Sequence, residues 1–211
     1  ALLAAATAAH ARDYAFKDRP FEEGDFSTDG KAFIIHTISS SGNLCYLGGL
    51  MKHNVYRDGK GCEVRFAFAR NKVSVTVPES AREACAEYCG HNAHFADQYH
   101  RLPAACTESA AKNTAQRFQA AYRAQRYPEA LEIKKQYVEQ CDRFATDASR
   151  IKIYNDLADS YLHTGDKAAC RRTLAGIAYR FEPGIHPSFS AGKNFSREQK
   201  RYEAAAQACA E

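Results

Sequence analysis

The chain has 211 residues, 45% of them hydrophobic, which is enough for one large or two small packed domains and too apolar for disorder to dominate. Its 29 Lys and Arg are interspersed with 25 Asp and Glu for a net charge of +4, without the dense basic footprint of a nucleic-acid binder. No apolar run approaches the ~18–20 residues of a membrane-spanning helix.

Residues 1–11, ALLAAATAAHA, carry no charge before His10 and end in a small-x-small pattern at Ala9 and Ala11, as the remnant of a secretory signal does. Export agrees with the eight cysteines, an even number that reads first as a disulfide framework. A periplasmic or secreted location follows. Residues 12–30 hold six acidic and three basic residues broken by Pro20, Gly24 and Gly30, with single aromatics at Tyr14, Phe16, Phe21 and Phe26. This reads as an acidic arm pinned to the body by its rings.

From Lys31 the pattern is that of strands. Phe33–Ile38 is β-branched and aromatic, and the loop residues 39–43 end it. Leu44–Met51 is a second strand with a bulge signal at Gly48-Gly49, and 54–57 continues it. Then Cys62, Val64, Phe66 and Phe68 alternate with polar or small residues, as do Val73, Val75 and Val77, giving a hairpin with one buried face. Cys45 and Cys62 sit on these strands, and their pairing is expected to contribute about 3 kcal/mol. After Pro78, Ser80 and Glu83 form a capping-box pattern for a helix through Cys89. Cys85 and Cys89, four apart on that helix, share a face and must each reach a different element.

Helical periodicity dominates after Cys106. Thr107 opens a helix with Ala111, Ala115, Phe118 and Tyr122 on its apolar face, and Pro128 lies in the first turn of the next, which carries Leu131, Tyr137 and Cys141. A third helix shows Ile151, Tyr154, Leu157 and Tyr161. A fourth follows Gly165 with Cys170, Leu174 and Ile177, residues 183–194 form a loop, and Ser196 with Gln199 opens a last helix that carries Cys209. The fold class is therefore α+β: a small disulfide-stapled antiparallel β-domain over 31–106, whose Cys-rich junction spans 85–106, then an all-α helical-hairpin domain over 107–211.

Tyr154, Leu157, Ala158, Tyr161, Gly165, Asp166 and Cys170 fall at the aromatic, Leu, small, Tyr, Gly, Asp and Ala positions of a tetratricopeptide repeat, which this hairpin resembles. The preceding hairpin keeps Tyr127, Glu129 and Ala130 but has Gln125 where Gly is usual. The resemblance spans roughly residues 110–183 and implies a protein-binding helical surface. Such an array of two repeats needs caps or staples, which the last helix and a Cys141–Cys170 bridge would supply. Cys209 then pairs with one of Cys85, Cys89 and Cys106, making the junction a clamp between the domains.

The sharpest alternative is a metal site. Cys85, Cys89, His91, His94, His100 and Cys106 offer Cys-x3-Cys and His-x2-His spacings suited to zinc, and His91, His94 and His100 alone survive oxidation of the thiols. An oxidising compartment draws those cysteines into bridges, so the expectation is no metal and no cofactor. Ser39-Ser40-Ser41-Gly42 lacks a nucleophile elbow, and the Glu79, Glu83, Glu87 stripe reads as a solvated helix face. The reading therefore leans to a non-enzymatic module that binds an extracytoplasmic protein, such as an inhibitor or immunity-type partner of a cell-envelope enzyme. A metal-binding protein or hydrolase using the three histidines is the second class and a structural envelope component the third. Tyr88, Tyr99, Tyr122, Tyr127, Tyr137, Tyr154 and Tyr161 are candidate interface anchors wherever they stand exposed beside Arg123, Arg126 or Arg150. Oligomeric state is not set by the sequence.

Overall fold

The computed structural model describes residues 12–19, 21–182 and 193–210, without the side chains of residues 12, 13 and 193. The leader 1–11 and most of the loop expected at 183–194 lie outside the described residues. The chain divides into two compact units, one comprising the residues up to Lys17 with Glu23–Ser39 and Asn43–Arg101, the other Asp18–Glu22, Ser40–Gly42 and Leu102–Glu211.

The first unit is an eight-stranded antiparallel sheet of β1 (Arg12–Ala15), β2 (Glu23–Thr28), β3 (Ala32–Ile38), β4 (Leu44–Leu50), β5 (Val55–Arg57), β6 (Glu63–Phe68), β7 (Lys72–Thr76) and β8 (Gln98–Arg101). Their order is β4-β3-β2-β1-β8-β7-β6-β5. Alternate residues turn inward, as the two-residue period of a half-buried strand requires. The rings of Phe33 on β3 and Phe66 on β6 lie 4.7 Å apart, although four strands separate β3 from β6 in the sheet. Phe33 also meets Tyr56 of β5 at 5.3 Å. Only a sheet curled toward closure brings its two ends together in this way, so the unit is a near-barrel around Phe26, Phe33, Phe66 and Tyr99. Gly49 on β4 lets the ends approach, since a Cβ there would stand 2.4 Å from the Tyr56 ring.

Residues 12–30, expected as an arm, instead supply β1 and β2 near the middle of the sheet. Tyr14, Phe16 and Phe26 are buried as expected of pinning aromatics, but the segment pairs through its backbone, and Glu23 and Asp25 fall at alternate, outward positions of β2. Within the Cys-rich stretch lies the unforeseen β8, whose one large apolar residue, Tyr99, donates its hydroxyl to the Phe95 carbonyl at 2.7 Å. The helix expected through Cys89 is shorter: a 3-10 turn at Glu79–Ala81 leads into α1 (Arg82–Ala86), and no side chain caps it.

The second unit contains α2 (Glu108–Arg123), α3 (Tyr127–Cys141), α4 (Asp147–His163), α5 (Lys167–Ala175) and α6 (Lys193–Ala210), each packed on its sequence neighbour up to α5, with α6 against α4 and α5. Thr146 caps α4 through Ser149 N–H, and Asp166 caps α5 through Ala169 N–H. The α2–α3 and α4–α5 turns share one backbone path. Gln125 and Gly165 both have positive φ, 57° and 84°, and are followed by Arg126 (φ −84°, ψ 62°) and Asp166 (φ −89°, ψ 73°). Their hydrogen bonds also match: Arg126 N–H donates to Ala121 and Asp166 N–H to Tyr161, at 3.0 and 2.9 Å. Ala130 and Cys170 are buried at matching positions, as are Phe118 and Ala158.

All eight cysteines are oxidised, as Cys45–Cys89, Cys62–Cys85, Cys106–Cys141 and Cys170–Cys209. The Cys45–Cys62 and Cys141–Cys170 pairings and the link from Cys209 to the junction are thus corrected. Cys85 and Cys89 do reach different elements, one the approach to β6 and the other β4, but only Cys85 is on α1; Cys89 lies beyond its end, bridged to Cys45 along the β4 edge. Each bridge closes within one unit, so the junction is not a covalent clamp between domains.

Candidate functional site

Strands β3 and β4 turn Phe33, Ile35, Thr37, Cys45 and Leu47 toward the core. The opposite face pairs Ala32 with Leu50, Ile34 with Gly48, His36 with Tyr46 and Ile38 with Leu44. Leu50 is 75% exposed, Tyr46 60%, Leu44 53% and Ile34 49%; among the described residues these are four of the five large apolar side chains left in solvent. Single exposed leucines are ordinary, whereas a contiguous group on one pleated face marks an interaction surface. The four are neighbours along β4 or on diagonals between β3 and β4, about 7–8 Å apart and within reach of long side chains, so they form one patch. β2 extends its rows with charge: Asp25 lies opposite His36 and Glu23 opposite Ile38, giving the patch an acidic flank.

β4 is also a sheet end. Tyr46 N–H donates to the Tyr88 carbonyl at 3.0 Å and Gly90 N–H donates to the Leu44 carbonyl at 2.7 Å, so the chain after α1 covers the first half of this edge. The Cys45–Cys89 bridge holds that cover, and the Tyr88 hydroxyl donates to Asp58 Oδ2 at 2.9 Å. Asp58 is kept below the usual carboxylate range, first by the Lys60 N–H and also by Tyr88, while the hydrogen bond that the Tyr88 hydroxyl donates to Asp58 pushes the phenol up. By the strand period, Gly48 and Leu50 aim their backbone groups the same way, and among the described residues no strand pairs with β4 on that side. The patch thus has apolar side chains, an acidic flank and a short stretch of open edge.

The histidines of the alternative site do not converge. His91 and His94 are exposed in the loop before β8, His100 lies in β8, and among the described residues no group of three His, Cys, Asp or Glu could hold a metal ion. The seven tyrosines singled out as anchors are buried or half-buried: Tyr99 is in the core, and Tyr122 and Tyr127 pack on each other and on His163. The exposed tyrosine is Tyr46. A signal for it was present, because Phe33-Ile34-Ile35 and Leu44-Cys45-Tyr46-Leu47 are apolar at consecutive positions and leave both faces of these strands apolar.

The helical unit contains a buried charge cluster. Asp156, 1% exposed, accepts from Lys134 Nζ at 2.8 Å, Lys152 Nζ at 2.7 Å and Arg201 Nη2 at 2.9 Å. Arg201 also pairs with Asp159 and Glu198. Burial by itself raises the Asp156 carboxyl, but Lys134 and Lys152 together outweigh it and hold the group below its ordinary value. Lys134 lies 4.4 Å over the Phe118 ring. The cluster ties α3, α4 and α6 together, which accounts for its residues without a ligand.

Comparison with protein-family models, curated proteins and solved structures finds no match. The fold itself is an α+β protein with a near-barrel sheet, a helical unit and four disulfides. That many bridges fits an extracytoplasmic fate, and among the described residues no helix is long and apolar enough to cross a membrane.

Proposed function

We propose that the chain is an exported, non-enzymatic protein-binding module that docks an extracytoplasmic protein on the outward face of β3 and β4. The observation that carries this reading is the contiguous exposure of Ile34, Leu44, Tyr46 and Leu50 on one two-stranded face. An amphipathic tyrosine at the centre of such a patch suits a binding hot spot, and Glu23 and Asp25 favour a partner that sets basic residues beside its apolar contact. The common backbone path of the α2–α3 and α4–α5 turns supports a pair of tetratricopeptide-like repeats, and with them a second, helical surface for the same role. A periplasmic or secreted inhibitor, or an immunity-type partner of a cell-envelope enzyme, is the form of this role we favour, since four bridges suit a small chain that works outside the cytoplasm.

A photo-crosslinking residue at position 46 tests this in the native envelope fraction, with position 65 on β6 as control, since the Arg65 side chain is 61% exposed. The expected result is a discrete protein adduct from position 46 and none from position 65. Absence of an adduct from positions 34, 46 and 50 refutes the surface.

A further inference from the structure

The first unit also contains a cavity of about 570 Å³ that lies apart from the β3–β4 face. This is the size of small-molecule sites, which run to roughly 300–1,000 Å³. One wall is β7 and its continuation, Ser74–Val77; α1 and the segment 93–98 form the others. The cavity arises from two constraints. β8 pairs with β7 only as far as Ser74–Gln98, and beyond the Val75 N–H to Asp97 carbonyl bond the two chains part. α1, meanwhile, is fixed by Cys85 to Cys62 and through Cys89 to Cys45, so it cannot settle into the gap.

The lining is apolar in Val75, Val77, Ala86, Ala93, Phe95 and the sulfurs of Cys85 and Cys89. Its polar lining is Ser74 and Gln98, which face each other across the last β7–β8 pair, with Asp97 beside them, then Thr76 and His94, and Arg82 on α1. The one acidic group of the lining, Asp97, adjoins Gln98 and leaves Arg82 as the cationic site for a carboxylate. The Arg82 partner is Glu79 at 2.9 Å, and both side chains are more than two-thirds exposed, so the pair is weak enough to exchange for another carboxylate. Three residues of strand make the floor about 10 Å long. Among the described residues, Val77 N–H and C=O enter no backbone hydrogen bond, which leaves polar groups on this apolar floor.

We infer that this cavity is a binding site for a small amphiphilic carboxylate, its apolar body between α1 and the Val75–Val77 strand and its carboxylate on Arg82. The inference is independent of the protein-docking face, and its test leaves that face untouched. Octanoate and octan-1-ol are titrated calorimetrically into the oxidised full chain, its Arg82→Gln variant and two cavity-filling variants, Ala93→Phe and Ala86→Phe. Circular dichroism and thiol counts establish that each variant is folded and bridged. The site predicts saturable one-to-one binding of octanoate, weakened about ten-fold by Arg82→Gln. Octanol binds more weakly and is indifferent to that change, and at least one filling variant abolishes both. Lack of saturable binding by octanoate overturns the proposal, as does binding that both filled variants retain. Equal binding of octanoate and octanol overturns the assignment of Arg82 to the head group.

Discussion

Replacing Asp156 by Asn tests whether the charges under α4 form one coupled unit. The Lys134 side chain is 5% exposed, and its ammonium donates to Asp156 Oδ2 at 2.8 Å. An amide in place of the carboxylate leaves that cation buried without compensating charge, a loss of about 3–5 kcal/mol in comparable interiors. Lys134→Leu acts differently. Asp156 keeps Lys152 at 2.7 Å and Arg201 at 2.9 Å, and position 134 matches Leu174 of the following hairpin, which is 3% exposed. A leucine there restores packing without stranding a charge, so its cost is expected within about 1 kcal/mol. The double variant is expected to recover at least about 2 kcal/mol of the Asp156→Asn loss, a coupling well above the additivity seen at independent sites. Urea unfolding of the non-reduced protein, followed at 222 nm, measures all four corners of the cycle. Equal costs for the two single variants, or strict additivity, refute the reasoning.

The same cluster sets an acid limit. Because the folded-state pKa of Asp156 lies below its ordinary 3.8, its contribution is present above that value and lost as pH falls through the lower, folded one; stability against pH should flatten there in Asp156→Asn. Gly49→Ala places a methyl group against the Tyr56 ring, and thermal unfolding should reveal a loss of about 1–3 kcal/mol. Gln125→Gly relieves a side chain held at φ 57° and should stabilise by up to about 1 kcal/mol, while Gly165→Ala should destabilise by a similar amount; opposite signs in the two matching turns are the outcome to measure. Peptide mapping without reduction should return Cys45–Cys89, Cys62–Cys85, Cys106–Cys141 and Cys170–Cys209 with no free thiol.

What the sequence could convey was set by how local each signal is. The β6–β7 hairpin and the helices from α2 to α6 announce themselves through periodicity and turn residues within one window, although α5 stops at Ala175, before Ile177, and a separate 3-10 turn, Ala178–Phe181, follows. β1, β2 and β8 were hidden because each is short and polar on one face: Tyr14, Phe26 and Tyr99 look like isolated aromatics until strands distant in sequence pair beside them. Disulfide connectivity failed for the same reason. Cys45 and Cys62 are near in sequence, yet β4 and β6 lie toward opposite ends of the curled sheet, and α1 and the turn after it supply their partners, Cys85 and Cys89. That Cys85 and Cys89 reach different elements holds, although Cys89 lies beyond the helix on which the expectation placed it. The candidate surface was half legible, since the consecutive apolar residues of β3 and β4 were in view, but only the sheet order reveals that their outer face is left exposed among the described residues.

The central claim rests on that face, and the most direct measurement is the affinity of the partner crosslinked at position 46 for wild type, Tyr46→Asp and Leu50→Lys. Burial of these side chains at an interface predicts at least a ten-fold weakening by each variant, about 1.4 kcal/mol or more, with unchanged thermal unfolding. Affinity equal to wild type in both variants contradicts the account.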